Sequence, residues 1–207
     1  MQAALTVLAA YLLGSISFAI VVSRLMRLPD PRSYGSKNPG ATNVLRTGKK
    51  VAAVLTLAGD AGKGWLAVYL AQSYAGDAVI VAVAGLAAFL GHLYPVFYRF
   101  RGGKGVATAA GALFGFDLWL GLGTLVTWCV IAAFFRYASL ASIIAALFAV
   151  FFTWFIKLEA SFLMAVAVMA AFLVWRHREN IRRLASGTES KLGAKKPTPP
   201  DPNAASH

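Results

Sequence analysis

The sequence predicts an all-α integral membrane protein of seven transmembrane helices, with the N-terminus outside and the C-terminus in the cytoplasm. Three observations lead there. Hydrophobic residues make up 58% of the chain, mean hydropathy is +0.65, and only 14% of residues are charged, against roughly 25% in an ordinary soluble domain. Apolar runs long enough to cross ~30 Å of hydrocarbon recur along the chain. Finally, the Lys and Arg residues are gathered in the gaps between those runs, where they set membrane orientation.

The runs, in order, cover 3–25, 51–74, 78–98, 105–116, 118–135, 140–156 and 160–175. The first carries no charge up to Phe18 and so lacks the basic start of a cleavable signal peptide; it reads as a retained helix. The fourth is only 12 residues long, about 18 Å as a helix, and is ambiguous alone. Charge parity decides for it. With seven crossings, 18 of the 20 Lys and Arg residues are cytoplasmic; Lys157 lies outside and Lys63 within a span. Without the fourth crossing, the basic C-terminal region would change sides. Residues 1–190 thus form one polytopic unit, followed by a tail, 191–207, whose Lys and Pro content predicts disorder.

The net charge of +12 is accounted for by this topology and does not call for nucleic acid. Cys129 is the only cysteine and lies in an apolar run, which excludes an internal disulfide and a cysteine metal cluster. The eight acidic residues form no motif that would hold a metal ion, so no metal or other cofactor is expected.

Three polar, glycine-bearing segments interrupt the apolar chain, and the topology puts them all on the cytoplasmic side. One runs over 34–46 and contains Ser36, Gly40, Ala41, Thr42, Asn43 and Arg46. Another starts at Gly91-His92 and continues through Arg101-Gly102-Gly103-Lys104-Gly105. The last contains His177, Asn180 and Glu189. Glycine lets backbone approach an anion closely, and Lys and Arg supply charge. Two of these segments lead into helices, whose free N–H groups favour phosphate. Ser139 and Ser142 open a further helix on the same side. Any one such segment is more often a plain boundary turn with topology-setting cations. Three on one face, each mixing Gly with Asn, Ser or Thr and a cation, point to a phosphate site. Neither Gly103-Lys104 nor Gly62-Lys63 has the preceding glycine of a nucleotide-binding P-loop, since Tyr98 and Leu57 stand there.

In their order and spacing these segments resemble the motifs of the acyl-phosphate:glycerol-3-phosphate acyltransferase family of bacterial membranes, the PlsY family. The resemblance rests on Asn43, Arg46, the run Gly102-Gly103-Lys104-Gly105-Val106-Ala107-Thr108, Arg136 to Ser142, and His177…Asn180…Glu189. It implies transfer of a fatty acyl group from acyl phosphate to the 1-hydroxyl of glycerol 3-phosphate, giving lysophosphatidic acid and inorganic phosphate. It also implies residence in the bacterial cytoplasmic membrane and a possible contact with a soluble acyl-phosphate synthase. By the same resemblance Ser36, Arg46, Lys104, Ser142, His177 and Asn180 hold glycerol 3-phosphate and orient its hydroxyl, with His177, Asn180 and Ser36 as the catalytic residues and Ser139 among the binding ones. The amides of Gly40, Ala41, Thr42 and Asn43, and of Gly102, Gly103, Lys104 and Gly105, cradle the acyl-phosphate head. Which loop takes which phosphate stays open, as does the choice between His177 and the leaving phosphate as base.

The remaining polar groups read as structural. Asp60 and Lys63, i and i+3 on one helix, are placed to pair; His92 takes a structural hydrogen bond, and Glu189 partners a basic residue near the site. Other functions fit less well. A transporter of an anionic metabolite would spread polar residues through several helices at mid-depth. An acyl-CoA or acyl-carrier-protein acyltransferase commonly has His followed five residues later by Asp, but Phe97 follows His92 and Arg182 follows His177. A lipid phosphotransferase would need paired metal-binding Asp residues.

Overall fold

A computed structural model describes residues 1–193 and contains ten α-helices among them, with no strand. The tail expected over 191–207 therefore lies outside the described residues from 194 on. Its first residues are placed: the Leu192 N–H donates to Arg136 O at 2.6 Å, and Arg136 Nη2 to Leu192 O at 3.1 Å.

Four helices are long and apolar enough to cross a membrane alone: α4 (Lys50–Tyr74), α5 (Ala78–Leu93, with the turn that follows it), α7 (Leu118–Phe135) and α8 (Ala138–Phe155). Two bent pairs add two more candidates. In the first, α1 (Gln2–Gly14) and α2 (Phe18–Leu25) meet at 44°. In the second, α9 (Ala160–Arg176) and α10 (Arg178–Ala185) meet at 56°. Short α3 (Ala41–Val44) and the 11-residue α6 (Val106–Phe116) complete the set.

The first run, expected as one helix over 3–25, is thus broken. Ser15, Ile16 and Ser17 leave the helical ladder, and Ser15 Oγ donates to Tyr11 O at 2.9 Å. The carbonyl freed at Ile16 accepts from Lys63 Nζ at 2.6 Å. A buried carbonyl without a partner costs stability, so the cation in α4 makes the break tenable. Likewise α5 ends at Leu93 rather than continuing to 98, because Pro95 cannot donate to the ladder.

Small residues set the packing. The core is dominated by alanine, including Ala67, Ala71, Ala84, Ala88 and Ala112, while Trp119, Phe134, Met164 and other large apolar side chains point outward. In lipid, association depends on close backbone contact. A Cβ on Gly14 would overlap the carbonyl of Ala88, and one on Gly91 that of Tyr11, so α1 lies hard against α5. Gly64 and Gly111 meet the carbonyls of Thr108 and Ala61 in the same way, joining α4 to α6. The α7–α8 hairpin and α9 close the bundle.

The two ends of the bundle differ. One end has tight turns: Asp77 caps α5 by accepting from Val79 N at 2.9 Å, and Asp117 caps α7 through Leu120 N at 2.8 Å. The opposite end gathers the polar segments.

Candidate phosphate-handling site

The recess at that end follows from the shortness of α6. At 1.5 Å per residue its 11 residues extend about 16 Å, so its N-terminus starts inside the bundle. Gly105, at φ 85°, abuts Phe89 and Leu93 in the last turns of α5. The left-handed backbone and the absence of a side chain both require glycine there. The loop before α6 therefore dips between helices, and Lys104 is carried down with it.

Around Lys104 the three segments come together. Its ammonium donates to Asn180 Oδ1. Asn180 Nδ2 in turn donates to Glu189 Oε1 at 2.6 Å, which also accepts from Ser139 Oγ at 2.7 Å. Arg183 Nε donates to Glu189 Oε2 at 2.7 Å. Arg46 Nη2 reaches Ser190 Oγ at 3.1 Å, and Arg176 Nη2 lies 3.1 Å from both Gly102 O and Gly103 O. Among the described residues, four cations, Lys104, Arg46, Arg176 and Arg183, thus act together beside the Glu189 carboxylate. An excess of positive charge in a recess attracts an anion.

The electrostatics follow. Burial pushes the Lys104 ammonium down to about 8, Glu189 opposes this, and the three arginines add to it. Burial alone would raise the Glu189 carboxyl, but hydrogen bonds from Asn180, Ser139 and Arg183 outweigh it and hold the group below its ordinary value. His177 is buried at the α9–α10 bend, where desolvation and the Lys104 charge push its imidazole down to about 4. Its Nδ1 lies 2.8 Å from Leu173 O. A carbonyl only accepts, so Nδ1 carries the proton and Nε2 keeps a lone pair.

Several residues have narrower roles than the sequence suggested. The Gly102 and Gly103 N–H groups donate to Leu93 O at 3.2 Å and His92 O at 3.1 Å, so these two amides are engaged within the loop. These glycines also allow close packing against the end of α5, and the amides of Lys104 and Gly105 follow them at the α6 entrance. Asn43 N–H donates to Gly40 O at 3.0 Å. The buried Asn43 side chain fastens the first loop, accepting from Ser36 N at 3.0 Å and donating to Pro31 O at 2.7 Å. In that loop the amides of Ala41 and Thr42 head α3, and the Ser36 side chain is exposed. Ser142 Oγ donates to Ala138 O at 2.7 Å and accepts from Trp128 Nε1 at 3.1 Å.

Arg176, Arg183 and Trp128 were not singled out from sequence. Asn180 and Arg183 share a face of α10 at i, i+3, a spacing that could have pointed to Arg183. Trp128 had no such signal, since it reaches Ser142 only across the α7–α8 hairpin. Asp60 and Lys63 pair as expected, at 2.8 Å. His92 and Ile16 O close over Lys63, so these ions form a sealed cluster rather than the lining of a path.

An all-helical membrane domain with a recessed, cation-rich, glycine-bearing site at one end defines an integral membrane enzyme that handles phosphate esters. The family described as Glycerol-3-phosphate acyltransferase matches residues 4–187, and the chain belongs to that family. Glycerol-3-phosphate acyltransferase of Burkholderia pseudomallei (strain K96243) is 58% identical over 201 residues, covering 96% of this chain and 99% of the relative. The Burkholderia thailandensis enzyme of the same name is 59% identical, covering 95% and 98%. Among solved structures, PlsY, an integral membrane glycerol 3-phosphate acyltransferase, superposes in its glycerol 3-phosphate form with a TM-score of 0.89. It is 41% identical, over 93% of this chain and 96% of that one. Its lysophosphatidic acid form gives a TM-score of 0.88. The activity is acyl transfer to glycerol 3-phosphate.

Proposed function

We propose that this chain takes its acyl group from acyl phosphate and transfers it to the 1-hydroxyl of glycerol 3-phosphate at the cytoplasmic face of a bacterial membrane, releasing lysophosphatidic acid and inorganic phosphate. The reading rests on one observation: among the described residues Lys104, Arg46, Arg176 and Arg183 gather where the three polar segments meet, with Glu189 as the carboxylate acting beside them. Lys104 and Arg46 bind the glycerol 3-phosphate dianion, with Ser36, Ser139, Ser142 and Asn180 completing the pocket. The amides of Ala41, Thr42, Lys104 and Gly105 receive the acyl-phosphate head. Glycerol 3-phosphate and the lysophosphatidic acid of the solved relatives fit the two ends of this reaction.

The chemistry needs alignment more than activation. Acyl phosphate is a mixed anhydride, and phosphate is its leaving group. The 1-hydroxyl attacks the acyl carbonyl, the new C–O bond forms, and the bond to phosphate breaks. With its imidazole pushed down to about 4, His177 is a weak base. Phosphate, with a second pKa of about 6, is the stronger acceptor beside the hydroxyl. His177 Nε2 therefore orients the hydroxyl by accepting its hydrogen bond, and the departing phosphate takes the proton.

The same reading includes seven crossings with the N-terminus outside, α6 being the short fourth one and residues 1–190 a single membrane unit. A soluble acyl-phosphate synthase docking on the basic cytoplasmic face would deliver the donor. The deciding experiment incubates purified protein with acyl phosphate and labelled glycerol 3-phosphate and scores lysophosphatidate, with EDTA and without. Robust transfer from acyl-CoA that does not pass through acyl phosphate would sink the donor assignment.

A further inference from the structure

The reaction as described leaves Asp60, Lys63 and His92 without a task, although they adjoin the site. Lys63 Nζ lies 2.8 Å from Asp60 Oδ1, 2.6 Å from Ile16 O and 2.9 Å from His92 Nδ1. Paired with a carboxylate, Lys63 is an ammonium, with three N–H donors and no lone pair. Three acceptors surround it, one for each N–H. Asp60 Oδ1 also lies 3.5 Å from His92 Nδ1, but the shorter contact is the one to the ammonium, and it is satisfied when Nδ1 accepts, which places the proton of the neutral ring on Nε2.

The direction of that proton is set by Gly103. A Cβ at position 103 would overlap His92 Nε2 and would come within 3.0 Å of Pro39 O. Because glycine stands there, the ε edge of the ring faces the junction between the first loop and the glycine loop. Among the described residues Nε2 has no hydrogen-bond partner, yet it is not one of the sealed, unpaired side-chain atoms. The side chain keeps 6% of its exposure, so the N–H has an opening.

We infer that His92 contacts the acyl donor: its Nε2–H donates a hydrogen bond to an oxygen of the acyl-phosphate head held between the two loops. Lys63 fixes the tautomer, Asp60 keeps Lys63 charged, and both are positioning residues. A preorganised donor of this kind stabilises negative charge as it builds during acyl transfer. The inference rests on the proposed placement of the acyl-phosphate head.

The test uses the whole protein in detergent, with 15N-labelled histidine and an acyl phosphonate in which CH2 replaces the bridging oxygen. The His92 resonances, assigned by their loss in His92→Asn, should report an unprotonated Nδ1 and a protonated Nε2. The Nε2 signal should shift with the phosphonate and not with glycerol 3-phosphate alone. A protonated Nδ1, or no response to the phosphonate, overturns the inference. Kinetics give an independent arm. His92→Asn keeps an acceptor facing Lys63 but has no donor at the ε position, whereas His92→Gln carries an amide N–H there. His92→Asn should lower kcat/KM for acyl phosphate roughly 10- to 100-fold, as expected for one hydrogen bond to a charged group, and leave KM for glycerol 3-phosphate unchanged. His92→Gln should recover much of the loss. Full activity in His92→Asn, or a His92→Gln enzyme as weak as His92→Asn, sinks the inference. Failure of wild-type protein to use acyl phosphate at all would instead count against the proposed donor, and the tautomer measurement would still stand.

Discussion

Lys104 sits where burial and a local excess of cations both favour losing its proton, and its ammonium is pushed down to about 8. Below that pH it is charged and pairs with a phosphate dianion; above it the charge is lost. The affinity for glycerol 3-phosphate should therefore fall as pH rises through about 8, seen as a rising KM. The bound dianion favours the ammonium and raises its pKa in the complex, so kcat should stay nearly level over the same range. Lys104→Arg should abolish this alkaline limb, and an unchanged limb would assign it to another group. Lys104→Ala and Arg46→Ala each remove a charge-assisted hydrogen bond of about 1.5–3 kcal/mol, and should raise KM on the order of 10- to 100-fold. His177 gives the contrasting case. Held near 4, its ring is neutral throughout the working range, so kcat should show no inflection near the ordinary histidine value. His177→Asn should keep much of the activity and a similar pH profile if phosphate is the base. A collapse of kcat with binding intact would make His177 the base.

At the scale of elements, the recess exists because α6 is short and α4 holds it closely. Gly64 and Gly111 face backbone carbonyls across that contact, Thr108 O and Ala61 O, and a Cβ would overlap either one. Backbone yields less readily than a flexible side chain, so Gly64→Ala and Gly111→Ala should each destabilise by about 1–3 kcal/mol. Thermal unfolding in detergent should show this, with activity falling as the α6 entrance shifts, while Gly62→Ala, where a Cβ meets nothing within 4 Å, should be silent. The existence of these helices was legible in the sequence, because apolar runs bounded by cations have few other readings. Their interruptions were less so. The bend at Ser15–Ser17 depends on Lys63 reaching Ile16 O from 47 positions away, and local composition carries no sign of that. The convergence of Lys104 with Asn180 was readable from topology and motif. The engagement of the Gly102 and Gly103 amides was not, because it depends on where α5 stops.

For the molecule as a whole, the polarity of its two ends ties the site to one side of the membrane. Arg46, Lys104, Arg136, Arg176 and Arg183 lie at one end with Glu189, and Asp77 and Asp117 cap helices at the other. In the proposed orientation the first end is cytoplasmic, as the positive-inside rule expects, and it faces the side from which a charged, water-soluble glycerol 3-phosphate would arrive. This assignment needs α6 to cross despite its 11 residues; locally thinned lipid or the polar loop that precedes it must make up the remaining depth. Cysteine labelling tests it directly. Cys129 is exposed on the outer surface of α7 and must first be replaced by serine to give a silent background. Single cysteines at Asp77 or Asp117 should then react with an impermeant thiol reagent added to intact cells. Those at Lys49 or Ser190 should react only after the membrane is opened. Because Ser190 stands beside Arg46, labelling it from outside would put the whole cationic recess on the wrong face for a cytoplasmic substrate. In that event the fourth crossing and the proposed orientation fall together.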